Sequence, residues 1–191
     1  MKFIFVILCS YLFGSIPWAL VIGKMFFHKD IREEGSGNLG ASNAGRVLGK
    51  PVAIIVTILD ALKAFFSMLI AHYVAPEAIL FAGVACCIGH CFPIFAKFKG
   101  GKAVATTYGF LLGVVVFITG QWFWQFLFPI ICFFIFLYMS KMVSVASIMS
   151  IFVAVVTGFF INVDLRVSLA VLLLWLLITY RHRDNINRIK Q

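Results

Sequence analysis

A chain of 191 residues that is 63% apolar and only 12% charged lies far from the half-apolar, quarter-charged mix of water-soluble domains. Its 16 Lys and Arg against 7 Asp and Glu give a formal charge of +9, a balance that suits anionic lipid headgroups or a phosphorylated ligand. A lone soluble globule is excluded. Nucleic acid is not expected as a partner either, because no soluble basic segment is large enough to carry a groove-reading element.

Apolar runs cover residues 3–27, 51–75, 78–96, 103–120, 122–140, 143–162 and 165–180. A crossing helix needs about 20 apolar residues, so the pattern predicts an all-α membrane protein with about seven transmembrane helices. What lies between the runs is too short for a separate soluble domain, and residues 1–191 read as a single integral membrane domain. The first run follows Lys2 in the manner of a signal peptide. It continues past Pro17 to Phe27 with no small-residue cleavage pattern, and so reads as one retained helix. Gly120 and Gln121 make the weakest split, between the fourth and fifth runs. Pro129 predicts a kink rather than a boundary. Cys9, Cys86, Cys87, Cys91 and Cys132 all fall in apolar runs without disulfide or zinc spacing, and read as small apolar packers.

Basic residues set the orientation. With alternating loops, one side collects Lys24, Lys29, Arg32, Arg46, Lys50, Lys97, Lys99, Lys102, Lys141, Arg181, Arg183, Arg188 and Lys190. The other receives Lys2 and Arg166, and Lys63 falls within a run. This asymmetry places the N-terminus outside and the C-terminus in the cytoplasm.

Polar chemistry gathers on the cytoplasmic side. The first loop runs from Gly35 to Arg46 (GSGNLGASNAGR). Its G-x-G-x-x-G lacks the flanking strand of a dinucleotide fold, and Arg46-Val47 replaces the Lys-Ser/Thr pair of a P-loop. What survives is the physics those motifs share: glycines let backbone N–H groups approach an anion, and Ser36, Asn38, Ser42, Asn43 and Arg46 add donors. The second loop closes the segment Gly89–Lys102. Gly100 and Gly101 stand between Lys99 and Lys102, where a sharp turn would bring an ammonium beside backbone donors at a helix start near Ala103. His90 lies at the end of a run, where an ionisable residue is a candidate for function. A third group comprises Ser144 and Ser147, three apart on one helix face, and His182 and Asn185 in the tail. Asp60 and Lys63, three apart inside the second run, read as a structural ion pair.

Three ordered motifs, Gly35–Arg46, Gly89–Thr106 (GHCFPIFAKFKGGKAVAT) and Val143–Ser147 with the tail Arg181–Ile186, resemble those of the bacterial membrane glycerol-3-phosphate acyltransferases that use acyl phosphate. The resemblance covers nearly the whole chain. Ser42 stands where that family usually has Thr, and Ala103 where Gly is common. It implies an enzyme of the bacterial cytoplasmic membrane, with its active site on the cytoplasmic face. The enzyme would move a fatty acyl group from acyl phosphate to the sn-1 hydroxyl of glycerol 3-phosphate, giving lysophosphatidic acid and phosphate.

Carried over by position, the resemblance implies that Ser36, Arg46, Lys102, Ser147, His182 and Asn185 are catalytic. Gly35, Gly37, Asn38, Asn43, Lys99, Gly100 and Gly101 would bind substrate phosphate, with His90 and Ser144 as further candidates. Acyl phosphate, glycerol 3-phosphate and membrane lipids are the implied partners, together with a soluble enzyme that makes acyl phosphate. No cofactor and no metal is expected. The His-x-x-x-x-acid spacing of other glycerolipid acyltransferases occurs only as His28–Glu33 and His72–Glu77, outside any matching motif. An anhydride donor with a good leaving group needs no such acid. The competing class is a transporter or flippase for phosphorylated small molecules, which would be expected to show internal repeats and a midplane site.

Overall fold

Most of these helices are apolar all round, so burial sorts their residues by size and polarity rather than by hydrophobicity. The computed structural model describes residues 1–161 and 164–189, which contain helices and turns and no strand. Lys190, counted above among the cytoplasmic charges, and the end of the sixth run at Asn162 lie outside the described residues.

The first run is not one helix. α1 (Lys2–Gly14) and α2 (Trp18–Phe27) meet at 43°, which corrects the reading of a single helix across 3–27. The break falls at Ser15–Pro17, where Pro17 has no N–H to give and disfavours the helical conformation at Ile16. α3 (Ala41–Val47) is a short helix inside the first polar loop. α4 (Lys50–Val74) starts behind Gly49, with Pro51 in its first turn. α5 (Ile79–Cys91) is flanked by single 3-10 turns at Pro76–Ala78 and Ile94–Ala96. α6 (Val104–Val114) continues as a π-helical stretch to Thr119 and stops at Gly120, whose φ of +66° ends the helix.

A second π-helical stretch, Phe123–Leu127, leads into α7 (Phe128–Ser140). The widened turn stands just before Pro129, the residue whose ring would otherwise press on the carbonyl one turn earlier. α8 (Val143–Phe160), α9 (Leu165–Arg181) and α10 (Arg183–Ile189) complete the order. Among the described residues, four helical segments are long and apolar enough to cross a membrane: Lys50–Val74, Pro76–Ala96, Phe123–Ser140 and Val143–Phe160. The bent α1–α2 pair makes a fifth if it is one broken span, while Val104–Thr119 is shorter.

The chain divides into two units, residues 1–110 and residues 111 onward. In the first, α4 turns Val52, Val56, Asp60, Lys63, Ala64, Ser67, Met68 and Ala71 inward and leaves Ile54, Ile55, Ile58, Phe66 and Ile70 exposed. Large apolar groups outside and small or polar ones inside is the arrangement a lipid solvent favours. Glycines set the closest approaches. A Cβ on Gly14 would strike the Cys86 backbone, one on Gly89 the Tyr11 carbonyl, and one on Gly109 the Ala61 carbonyl. Cys86, Cys87 and Cys91 are buried on α5 and enter no disulfide among the described residues, filling the packing role expected of them. A separate apolar cluster of Ala19, Leu20, Ile31, Leu39, Ala44, Val52, Val56 and Ala96 underlies the first polar loop.

In the second unit, α8 packs against α7 and α9. Its buried stripe is Ser144, Ser147, Ser150, Ile151, Ala154 and Gly158. Gly158 lets Ser168 approach, with Oγ 3.2 Å from where a Cβ would stand. Trp175 Nε1 donates to the Ile148 carbonyl at 3.1 Å. Asp164 caps α9 by accepting from the Arg166 N–H at 2.9 Å.

Candidate active site

The first loop is fastened by one amide. Asn43 is buried on α3 and commits both of its N–H groups, to the Ile31 carbonyl at 3.0 Å and the Glu34 carbonyl at 3.2 Å. Its Oδ1 accepts from the backbone N–H of Ser36 at 2.8 Å and from Ser36 Oγ at 3.1 Å. Asn43 was expected as a phosphate donor; in this conformation it fixes the loop instead. Gly35 and Gly37 have φ of +61° and +67°, left-handed values that favour glycine. They therefore turn the chain on either side of Ser36, which is exposed.

The loop's cations are sorted by their partners. Arg32 and Lys24 both pair with Asp30, and Lys29 with Glu34 at 3.3 Å. The Arg32 guanidinium, hydrogen-bonded to Asp30, holds that carboxyl well below the usual carboxylate range, with Lys24 adding to the effect. Arg46 is exposed, and among the described residues none forms an ion pair with it.

The second loop is built against His90. The Gly101 N–H donates to the His90 carbonyl at 3.0 Å. A Cβ on Gly100 would strike that carbonyl, and one on Gly101 the ring nitrogen Nε2. Neither glycine has a positive φ; Lys97, Phe98 and Ala103 do, at +53°, +59° and +58°. The expectation that Gly100 and Gly101 supply the sharp turn is thereby corrected. They supply room, and three non-glycine residues carry the left-handed strain, each costing about 1–2 kcal/mol. Ala103, where a glycine would rest at no cost, is one of them. α6 then begins at Val104. Lys99 is exposed and Lys102 half-buried.

Asn38 joins the two loops. Its Nδ2 donates to the Gly100 carbonyl at 3.4 Å, while its Oδ1 accepts from the Gly40 N–H at 3.0 Å. The structure thus links Ser36, Asn38, Asn43, Gly100, Gly101 and His90 in one chain of contacts within the first unit. The expected Asp60–Lys63 ion pair is present at 2.9 Å, and His90 joins it, with Nδ1 2.8 Å from Lys63 Nζ. No signal along the chain foretold that third member beyond His90's place at the end of a run.

The remaining candidates lie in the second unit. Ser147 is buried and its Oγ donates back to the Val143 carbonyl at 2.7 Å. Ser144 is buried on the same face, as their spacing predicts. His182 caps α9, with Nδ1 2.8 Å from the Ile178 carbonyl. A carbonyl can only accept, so that bond places a proton on Nδ1. Asn185 is half-buried on α10.

Several apolar helices of bilayer length, with two polar loops that meet at Asn38 and Gly100, are the architecture of a multi-pass membrane protein. The family model for glycerol-3-phosphate acyltransferase matches residues 4–191, and the chain belongs to that family. It is 44% identical over 186 residues to the glycerol-3-phosphate acyltransferase of Bacillus subtilis (strain 168), covering 96% of this chain and 91% of that one. It is 42% identical over 201 residues to glycerol-3-phosphate acyltransferase 2 of Lactobacillus acidophilus (strain ATCC 700396 / NCK56 / N2 / NCFM), covering 100% of this chain and 88% of that one. Its fold is similar to the crystal structure of PlsY (YgiH), an integral membrane glycerol 3-phosphate acyltransferase, in its glycerol 3-phosphate form. The TM-score is 0.88 at 35% identity, over 99% of this chain and 92% of that one. The lysophosphatidic acid form of PlsY gives 0.85 at 34% identity.

Proposed function

We propose that this protein transfers a fatty acyl group from acyl phosphate to the sn-1 hydroxyl of glycerol 3-phosphate, releasing lysophosphatidic acid and phosphate. Family membership supports the acceptor. The observation that supports the donor is the junction of two cationic glycine-rich loops through Asn38 and Gly100, since acyl phosphate bears its phosphate directly on the reacting acyl carbon, beside the acceptor's own phosphate, whereas a thioester bears sulfur there. Arg46 and Lys102 hold phosphate oxygens, aided by Lys99 and by the backbone around Gly35, Gly37, Gly100 and Gly101. Asn38 spans the two loops and gives its other amide N–H to substrate phosphate, and Asn43 holds the first loop in register. His182 and Asn185 bind or orient glycerol 3-phosphate, supported by Ser147, with Ser144 beside it on the same face.

The acceptor oxygen attacks the acyl carbonyl carbon, the bond from that carbon to the phosphate oxygen breaks, and phosphate leaves. A phosphate oxygen of the substrate takes the hydroxyl proton. The protein's share is orientation and stabilisation of the developing oxyanion, where each donor is worth about 3–4 kcal/mol in related acyl-transfer sites. Ser36 donates its Oγ hydrogen bond to Asn43, and among the described residues no base is in hydrogen-bond contact with it to make it a nucleophile. Transfer is therefore direct. Purified protein given labelled acyl phosphate and glycerol 3-phosphate should form lysophosphatidic acid, with acyl-CoA a poor donor. Acyl phosphate alone should leave Ser36 unmodified by mass spectrometry. Stoichiometric acylation of Ser36, discharged by glycerol 3-phosphate at a competent rate, would overturn the direct route.

The same reading takes residues 1–191 as a single integral membrane domain of the bacterial inner membrane, crossing it seven times. The N-terminus is outside, the C-terminus is cytoplasmic and the active site is on the cytoplasmic face, where a soluble enzyme that makes acyl phosphate would deliver it. A reporter fused after Gln191 should then be cytoplasmic, and one inserted near Pro76 external. A cytoplasmic signal at Pro76 would break both the span count and the shared face of the loops.

A further inference from the structure

Asp60, Lys63 and His90 are all more than nine-tenths buried. Lys63 Nζ lies 2.9 Å from Asp60 Oδ1, 2.8 Å from His90 Nδ1 and 3.4 Å from the Ile16 carbonyl at the break between α1 and α2. Asp60 Oδ1 and His90 Nδ1 are 3.4 Å apart and converge on that ammonium. An ammonium can only donate, so Nδ1 accepts and the neutral ring carries its proton on Nε2. Nε2 is the atom a Cβ on Gly101 would strike, and the His90 carbonyl is both the acceptor for the Gly101 N–H and the neighbour that leaves Gly100 no room for a side chain. One residue thus seats both glycines that precede Lys102. A carboxylate and an ammonium among bilayer helices are costly, and apolar residues of similar size would pack as well. Orienting a ring is something they could not do.

We propose that Asp60, Lys63 and His90 are positioning residues: the ion pair fixes the His90 ring, and the ring with its carbonyl seats the Gly100–Gly101 turn that carries Lys102 to substrate phosphate. This rests on the acyltransferase reading above. The test uses the full chain in detergent micelles and two variants. The double variant Asp60→Asn/Lys63→Met removes both charges together, so neither is left buried alone. His90→Phe keeps a ring of similar size, loses the Nδ1 acceptor and leaves the ion pair in place, so it decides the matter if the double variant does not fold.

In each folded variant the KM for glycerol 3-phosphate or for acyl phosphate should rise about tenfold while kcat changes much less. Hydrogen exchange at the Gly101 amide should accelerate about tenfold, with the Ile58 amide in mid-α4 unchanged. Unchanged exchange at Gly101 overturns the proposal, as does faster exchange with both KM values unmoved. A loss of thermal stability and active fraction alone would mark a merely structural ion pair and also overturns it. If the wild-type protein forms no lysophosphatidic acid, the acyltransferase reading has failed, and the Gly101 exchange alone decides whether the three residues seat the turn.

Discussion

Lys102→Ala and Arg46→Ala should each lower kcat/KM by about a hundredfold to a thousandfold, the loss expected when a donor that holds substrate phosphate, and the charge developing on it, is removed from an acyl-transfer site. Both proteins should remain folded, because neither side chain belongs to the buried core. Lys97→Ala is the control. Lys97 is exposed at the end of the 3-10 turn, on the far side of Phe98 and Lys99 from the seated glycines. Its removal should change kcat/KM by no more than about threefold, in keeping with the small worth of an exposed charge. Circular dichroism and turnover in the same detergent separate folding from function. Equal losses at Lys97, Lys102 and Arg46 would mean that the loops act through general electrostatics, and the specific phosphate clamp would have to be given up.

Gly109→Ala should be strongly damaging for a single added methyl. The added carbon would overlap the Ala61 carbonyl of α4, and two backbones cannot yield as a flexible side chain would. A cost of about 3 kcal/mol, the upper range for overpacking, is expected, seen as a large fall in melting temperature. Gly120→Ala meets nothing within 4 Å, although its φ is +66°. It should cost only the left-handed penalty of about 1 kcal/mol. If the two variants melted together, close helix contact at Gly109 would not be what holds α4 and α6.

Local chemistry was legible along the chain wherever residues a few positions apart decide the outcome. Asp60 and Lys63 announce a pair one helical turn apart, and Ser144 and Ser147 announce a shared face; the structure shows both. Each apolar run also forms helix. What could not be read depends on proximity between distant segments. Nothing near Gly101 says that its missing side chain makes room for His90, and nothing near Asn43 says that its amide is consumed by Ile31 and Glu34. The break at Pro17 lay in plain view but was outweighed by unbroken hydrophobicity, since proline is tolerated in spanning helices. The third member of the buried cluster is joined across the space between α4 and α5, so composition and spacing carried no trace of it.

The apolar cluster beneath the first loop has a kinetic meaning. Ile31 and Leu39 are buried there with Ala44 and Ala96, so a segment whose composition reads as pliant is tethered at intervals to the helices below. Much of its conformational entropy is therefore surrendered during folding rather than on encounter with a ligand. A docking surface organised in advance can capture its ligand at the first productive collision, without waiting for a loop to find its shape. For the phosphate clamp proposed above, capture of a small anion should then be governed by diffusion and by the field of Arg46 and its neighbours, with a rate that falls as ionic strength rises.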